Sequence, residues 1–453
     1  MEVSDVAAQL VSKAEKAGAS QAEAYVAFAK TSSIYIDDNI PKISDKKDEL
    51  GVGLKYILGK KIGFTSSTLL SETMNAVVER AKSMAENSAE DPRFVSLPDP
   101  KKASGNPTKF YDSATGAAEA EVLLDHTMNL VNAAVARTVG VPNGVLRTSS
   151  IEFHTANSLG VDAWSKSSMV FGYFTAKAEN NGAVGEGVQR CWSQKLGNID
   201  FSKIGAKLQS QALDVIRAEP FKDKWENIVA VLAPSEGSEM LGSLVEFTAS
   251  ADFVNRKSSP WSDKVGDAVA HESVNIVDNG LSEKGLLSGI IDDEGTPTQK
   301  TPIIEKGLLK SYFFDSYNAN IVGLASTGNG IRRNPRDAQG SFSSPTRCSP
   351  TTLEIPTSGK SYDELIGEVD KGIYVEHFAY PLVDPFTGAF SNEIRNGCLI
   401  ENGELTTKVK YALLVGNLFE SLNKEVLFSA EPEVHGNRVM PTMAFSGAEI
   451  VGQ

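Results

Sequence analysis

The sequence predicts an α+β protein in two parts: an N-terminal helix-and-antiparallel-sheet domain over residues 1–222, and a strand-rich C-terminal domain with extensive antiparallel sheet over residues 223–453. Three observations lead there. Before residue 220, amphipathic helical stretches alternate with groups of period-2 strands. After it, short apolar runs punctuated by glycine, proline and asparagine dominate, with one strongly helical stretch among them. Around Glu219-Pro220-Phe221 one pattern gives way to the other, and 453 residues exceed what a single ordinary core accommodates.

The elements follow in order. Ala7, Leu10, Val11 and Ala14 recur at helical spacing ahead of Gly18, which predicts a helix over residues 4–17. Residues 22–30 and 34–36 read as strands, and 51–58 with 62–65 as a hairpin about Gly59-Lys60-Lys61. Ser71 is the expected cap of a helix whose Met74, Val77, Val78, Ala81, Met84 and Ala85 form one apolar stripe. Residues 91–107 are a connector. A helix over 117–136 leads into an antiparallel meander of strands at 147–155, 161–165 and 169–177, and Asp200 or Ser202 caps a further helix with Ile204, Leu208, Ala212, Val215 and Ile216 on one face. The order helix, strands, helix thus occurs twice, which weak duplication and coincidence both explain, because the residues themselves are not alike. Residues 228–232 are a continuous apolar strand, after which Pro234 starts a helix that buries Met240, Leu241, Leu244 and Val245. Strands are expected from there at 273–277, 285–291, 307–315, 351–355, 372–377, 388–392, 397–401, 404–409 and 412–415. The densest stretch is 289–320, where Ile303-Ile304 and Leu308-Leu309 flank Glu305-Lys306-Gly307 as a hairpin and Asp292-Asp293-Glu294 sits on the loop before it.

Composition excludes several classes. A formal net charge of −14 and a pI near 5.0 oppose a phosphate-backbone ligand, so no direct nucleic-acid partner is expected. Cys191, Cys348 and Cys398 are odd in number and far apart, which favours a reducing cytoplasm over a disulfide framework. The acidic, amphipathic start does not resemble a secretory signal, and no apolar window approaches the length needed to span a membrane.

Candidate chemistry is sparse. His126, His154, His271, His377 and His435 include no pair three or four residues apart, so no helical zinc-ligand pair exists. His435 reads as a turn residue before Gly436 or as a functional imidazole. There is no Gly-x-Ser-x-Gly elbow and no phosphate loop, and Ser326-Thr327-Gly328-Asn329-Gly330 reads as a flexible binding loop. Arg332, Arg333 and Arg336 beyond it could hold a peptide carboxylate, with plain solvated charge the simpler reading. Asp292, Asp293 and Glu294 could supply oxygen ligands or a general base, with a turn of exposed acids the simpler reading. Cys398, in an apolar strand, reads as an inert buried thiol.

The runs 291–298 (Ile-Asp-Asp-Glu-Gly-Thr-Pro-Thr), 305–312 (Glu-Lys-Gly-Leu-Leu-Lys-Ser-Tyr) and 326–330 together resemble the TldD/PmbA family. Asp370-Lys371-Gly372-Ile373-Tyr374, Thr387-Gly388-Ala389-Phe390-Ser391, Leu399-Ile400-Glu401-Asn402-Gly403 and Val415-Gly416-Asn417 continue the resemblance in order, and Gly51-Val52-Gly53-Leu54 with Gly63-Phe64-Thr65-Ser66 extends it to the N-terminal part. The resemblance implies a cytoplasmic peptidase of two related subunits, also described as modulators of DNA gyrase. One subunit, TldD-like, carries His-Glu-x-x-x-His on a helix and a later Cys as metal ligands. The other, PmbA/TldE-like, lacks them. Laid on this chain, the family's positions hold Gly242, Ser243, Phe247 and His435.

The resemblance therefore implies a non-metal subunit with no catalytic residue and no cofactor of its own, zinc being expected in a TldD-like partner of a heterodimer. The expected role is shaping a chamber for unfolded or short peptides, with Asp292, Asp293, Glu294, Asn329, Arg332, Arg333 and His435 as candidates to touch peptide or partner. Two alternatives remain open. One is a homo-oligomeric peptide- or client-binding protein without proteolysis; the other is an independent hydrolase using Asp292, Asp293 or Glu294 with His435.

Overall fold

The computed structural model describes residues 3–68, 73–357 and 359–452. In the N-terminal part, α1 (Val3–Lys16), β1 (Gln21–Asp37), β2 (Ile40–Leu58), β3 (Lys61–Thr68) and α2 (Met74–Asn87) form a first run. The second comprises α3 (Ser113–Gly116), α4 (Ala120–Ala134), β4 (Val139–Asn157), β5 (Asp162–Asn180), β6 (Ala183–Ser193) and α5 (Phe201–Arg217). All six strands join one antiparallel sheet ordered β3-β2-β1-β4-β5-β6, and the first strands of the two runs, β1 and β4, lie side by side from Glu23 opposite Asn157 to Asp37 opposite Asn143.

Alternation along β1 explains how this sheet is used, since successive side chains point to opposite faces. Ala22, Ala24 and Val26 pack against α1 and α2, and Ile34 and Ile36 against α4 and α5. Tyr25, Ala27 and Ala29 face the other way and pack with Leu286, Ile290, Ile291 and Phe342 of the C-terminal part. An antiparallel sheet commonly leaves one face to water. This one is covered on both.

The C-terminal part is built on an eight-stranded sheet that closes on itself. Lys371–Phe378 pairs parallel to Lys224–Leu232 on one side and antiparallel to Ala389–Glu401 on the other, and Ala412–Asn417 and Met443–Gly452 complete the ring. Ile228, Ala230, Ile373, Val375, Leu414 and Phe445 belong to its core. A smaller sheet contains Ile276–Asn279, Lys300–Glu305, Leu308–Leu309, Leu353–Glu354, Glu433–His435 and Arg438–Met440. The α+β class holds, and among the described residues no helix is long and apolar enough to cross a membrane.

Several elements differ from expectation for identifiable reasons. The polar run Thr31-Ser32-Ser33 does not break β1, because the Thr31 and Ser149 hydroxyls lie 3.0 Å apart across the seam and satisfy each other. Strand β2 starts at Ile40, well before residue 51, behind a tight turn with Asp38 and Asn39 at φ 49° and 65°. Ser71 lies outside the described residues; the cap of α2 is Thr73, and that of α5 is Asp200, which accepts from the Lys203 N–H at 3.0 Å. The segments expected as strands at 388–392 and 397–401 are one strand, Ala389–Glu401. Residues 285–291 form no strand: Leu286, Ile290 and Ile291 are apolar because they dock on the N-terminal sheet. Residues 307–315 are strand only at Leu308–Leu309, but the expected hairpin forms, with Ile304 opposite Leu309 and Lys306 and Gly307 at φ 48° and 75°.

Candidate functional site

The acids and arginines singled out in the sequence meet where the two parts join. Asp292 accepts the N–H groups of Glu294 and Thr296 at 3.0 and 2.8 Å on one carboxylate oxygen and that of Gly330 at 3.0 Å on the other. Asp293 accepts the N–H groups of Arg332 and Arg333 at 2.6 and 3.0 Å, and the Arg333 Nε–H at 2.7 Å. Arg333 also stacks on Phe153 of β4, while Arg332 donates to Glu23 of β1 at 2.7 Å and stacks on Tyr25. Asn329 donates to Asp278 at 2.7 Å. All of these side chains are buried, Arg332 and Arg333 at 3% and 1% exposure. Neither the exposed-acid nor the solvated-arginine reading holds. These groups bond chiefly to one another and fasten the N-terminal sheet to the C-terminal part, with Glu23 Oε2, Arg332 Nε and one Arg333 Nη left without a hydrogen-bond partner among the described residues. Arg336 is exposed.

Electrostatics follow from burial. Burial alone would raise the Glu23 carboxyl, but Lys55 and Arg332 beside it hold it below the ordinary carboxylate range. Asp292 is pushed well above its ordinary value by burial and then by Glu294. The same two causes push Asp315 up to about 7. Burial pushes Asp278 up to about 6.

Beside this joint lies a cavity of about 650 Å³. Its wall takes Lys55 and Ile62 from the sheet, Phe94 and Leu97 from the connector, Ser243, Glu246 and Phe247 from the helical stretch 234–248, Glu294 and Asp315 from loops, and Arg347 and Cys348 from a two-residue strand. Of the acidic triplet only Glu294 borders it, held by the Ser316 N–H at 2.8 Å and the Thr346 hydroxyl at 3.1 Å. Burial pushes the Cys348 thiol up, so it is no thiolate nucleophile at neutral pH. His435 faces a second cavity of about 210 Å³ that none of Asp292, Asp293 and Glu294 lines. The hydrolase reading therefore lacks its geometry.

Comparison with known proteins gives this arrangement a context. Residues 226–452 match the profile of the PmbA/TldA metallopeptidase C-terminal domain, 22–85 that of domain 1, and 111–215 that of the central domain. The chain belongs to the PmbA/TldD family. It is 27% identical to an uncharacterised protein of Methanocaldococcus jannaschii over 94% of this chain and 95% of that one. A metalloprotease TldD homolog of Haemophilus influenzae is 26% identical over 91% and 86% of the two chains. The crystal structure of TldE from Thermococcus kodakarensis superposes with a TM-score of 0.87 at 23% identity, covering 99% of this chain and all of that one, which shows the shared fold.

In this PmbA/TldD chain the helical stretch 234–248 shows whether a metal would fit. It runs through Pro234–Gly237, widens into a π turn at Ser238–Gly242 and continues as Ser243–Thr248. A Cβ on Gly242 would lie 2.6 Å from Cδ of Arg438, so a guanidinium stem fills the space in front of that position. Arg438 is fixed there by donating to the Ser238 carbonyl at 2.9 Å and to Glu246 at 2.7 Å. Ser243 and Phe247 line the large cavity, where Phe247 stacks on Phe253 with ring centroids 4.1 Å apart. His435 lies 3.6 Å from Glu433, whose carboxyl this contact holds down at about 2. Among the described residues no three His, Cys, Asp or Glu side chains converge as a metal would need. The residues at these positions do not fit zinc. Sequence reasoning missed Glu246, Arg347 and Arg438; Glu239 and Glu246, seven residues apart on one helix face, were the available signal.

Proposed function

We propose that this chain is the non-metal, TldE-like subunit of a cytoplasmic TldD/TldE-type peptidase, which shapes a chamber for unfolded or short peptides that a metal-bearing TldD-like partner cleaves. The observation that carries the reading is the Arg438 guanidinium packed against Gly242, where the family's metal-bearing chains are expected to place a ligand. A cation held by Glu246 repels a second cation in the same space, and a lone imidazole at 435 gives zinc no chelating set. The cavity supplies apolar wall from Ile62, Phe94, Leu97, Phe247 and Phe253.

The test is co-expression with a TldD-like relative, followed by peptidase assays on each chain and on the mixture. The expected result is co-purification and chelator-sensitive cleavage only when both chains are present. Chelator-sensitive cleavage by this chain alone would overturn the proposal, and self-association without capture of the relative would point to a homo-oligomeric binding protein instead.

A further inference from the structure

The cavity of about 210 Å³ is lined by four arginines, Arg190, Arg336, Arg347 and Arg438. In a chain with 58 acidic and 44 basic residues, such convergence runs against the overall balance. Arg438 is paired with Glu246 and lies 3.8 Å from Glu239. Among the described residues no carboxylate lies within ion-pair distance of the other three. Arg190 and Arg336 rest over the rings of Tyr173 and Trp192, and Arg347 donates only to the Arg333 carbonyl, at 3.2 Å. Two lining residues also carry buried, unpartnered donors: the Arg438 Nε–H, which packs on Gly242, and the indole N–H of Trp192, a side chain more than nine-tenths buried. Glu239 and Glu246 share this wall but stand beside Arg438 alone, which leaves Arg190, Arg336 and Arg347 as three guanidinium groups without an ion-pair partner among the described residues; together they form a receptor for an oxyanion, and the planar fork matches a carboxylate.

The small cavity lies next to the large one. Glu246, Arg347, Ser349 and Arg438 line both, so the arginines stand beside a space walled by Phe94, Phe247 and Phe253. From this we infer that the arginine cavity binds a carboxylate of a short peptide whose apolar side chains occupy the larger cavity. The ligand is thus an apolar peptide with a free C-terminal carboxylate, or with an acidic side chain in its place. This deepens the subunit reading by naming what the chamber holds, and it rests on that reading for its biological setting alone.

The test uses the purified full chain and fluorescently labelled hexapeptides of one apolar sequence, read by polarisation. Three forms are compared: free acid, C-terminal amide, and amide with a terminal aspartate. The free acid is expected to bind at least about tenfold more tightly than the plain amide. Aspartate restoring binding to the amide would show that a side-chain carboxylate serves equally. Arg336→Met with Arg347→Met should abolish the preference without changing the thermal midpoint by more than a few degrees. Arg347→Lys, which keeps charge but loses the fork, should retain part of it. Equal binding of acid and plain amide would overturn the inference. So would a preference that survives the double variant, or inorganic phosphate binding more tightly than the peptide. An intact acid preference with no capture of a TldD-like relative would sink the subunit role alone; capture with no preference would sink the carboxylate site alone.

Discussion

The joint between the two parts rests on the Arg333–Asp293 pair, and Arg333→Met tests it. Removing one partner of a buried pair costs about 3–5 kcal/mol, because the other charge is left without compensation. Here the Asp293 carboxylate would keep two of its three N–H donors, those of Arg332 and Arg333, so the loss belongs at the lower end, about 3 kcal/mol. Asp293→Asn should cost a similar amount, because an amide accepts at one oxygen only and presents a donor to the guanidinium. The double variant leaves no unpaired buried charge, so its cost should fall short of the sum of the singles by at least about 1 kcal/mol. Midpoints and slopes from guanidinium chloride unfolding of the four proteins measure this. Single costs that add to within about 0.5 kcal/mol, or an Arg333→Met protein as stable as the parent, would refute the assignment of these residues as the fastener.

Three further outcomes follow from local geometry. The folded Asp315 carboxyl, at about 7 against an ordinary 3.8, holds a proton that the unfolded chain has released; stability should therefore fall as pH rises from about 4 to about 7, and Asp315→Asn should gain on the parent across that window, a flat difference from pH 5 to 8 refuting the shift. Gly295 has φ 81°, and a Cβ there would lie 2.6 Å from Val161, so Gly295→Ala should lower stability by at least about 1 kcal/mol in the same unfolding assay. Burial pushes the Cys191 thiol up to about 12 and also raises Cys398, so neither should react with a thiol reagent at pH 8 until the chain is denatured; rapid native labelling of either, located by peptide mapping, would contradict their burial.

Helical faces were legible because a 3.6-residue period shows directly in the chain: the expected helix at 4–17 is Val3–Lys16, and Pro234 begins the stretch that buries Met240, Leu241, Leu244 and Val245. Strand extent was less legible. Six of the nine residues 41–49 are charged, and their strand state comes from a main-chain ladder with β1, such as Lys30 opposite Asp48, which leaves no hydrophobic pattern. The apolar run at 285–291 carried the opposite error, since burial against another sheet face leaves the same residue types as burial within a ladder. The site was least legible. Arg332 reads as solvated charge until Glu23, 309 positions away, is placed beside it, and the arginine cavity gathers side chains from five distant stretches with no local pattern in common.

The acidic triplet divides its work between joint and cavity, and that division accounts for the character of the chain. Asp292 and Asp293 tie the turn at Gly330 and the two arginines together, while Glu294 reaches Ser316 and Thr346 on the cavity side. Gly330 has to be bare for this, because a Cβ there would lie 2.6 Å from the Glu294 carboxyl carbon. The motifs that carry the family resemblance are thus architectural: they set the N-terminal sheet, the loops and the cavity wall in fixed relation. The positions at which the resemblance leads one to expect metal ligands lie elsewhere, in the helical stretch 234–248 and near residue 435. Those positions touch the joint at none of its hydrogen bonds. Gly242, Ser243 and Phe247 can therefore stand where ligands are expected while the architecture is kept, and the space in front of Gly242 becomes available to an arginine.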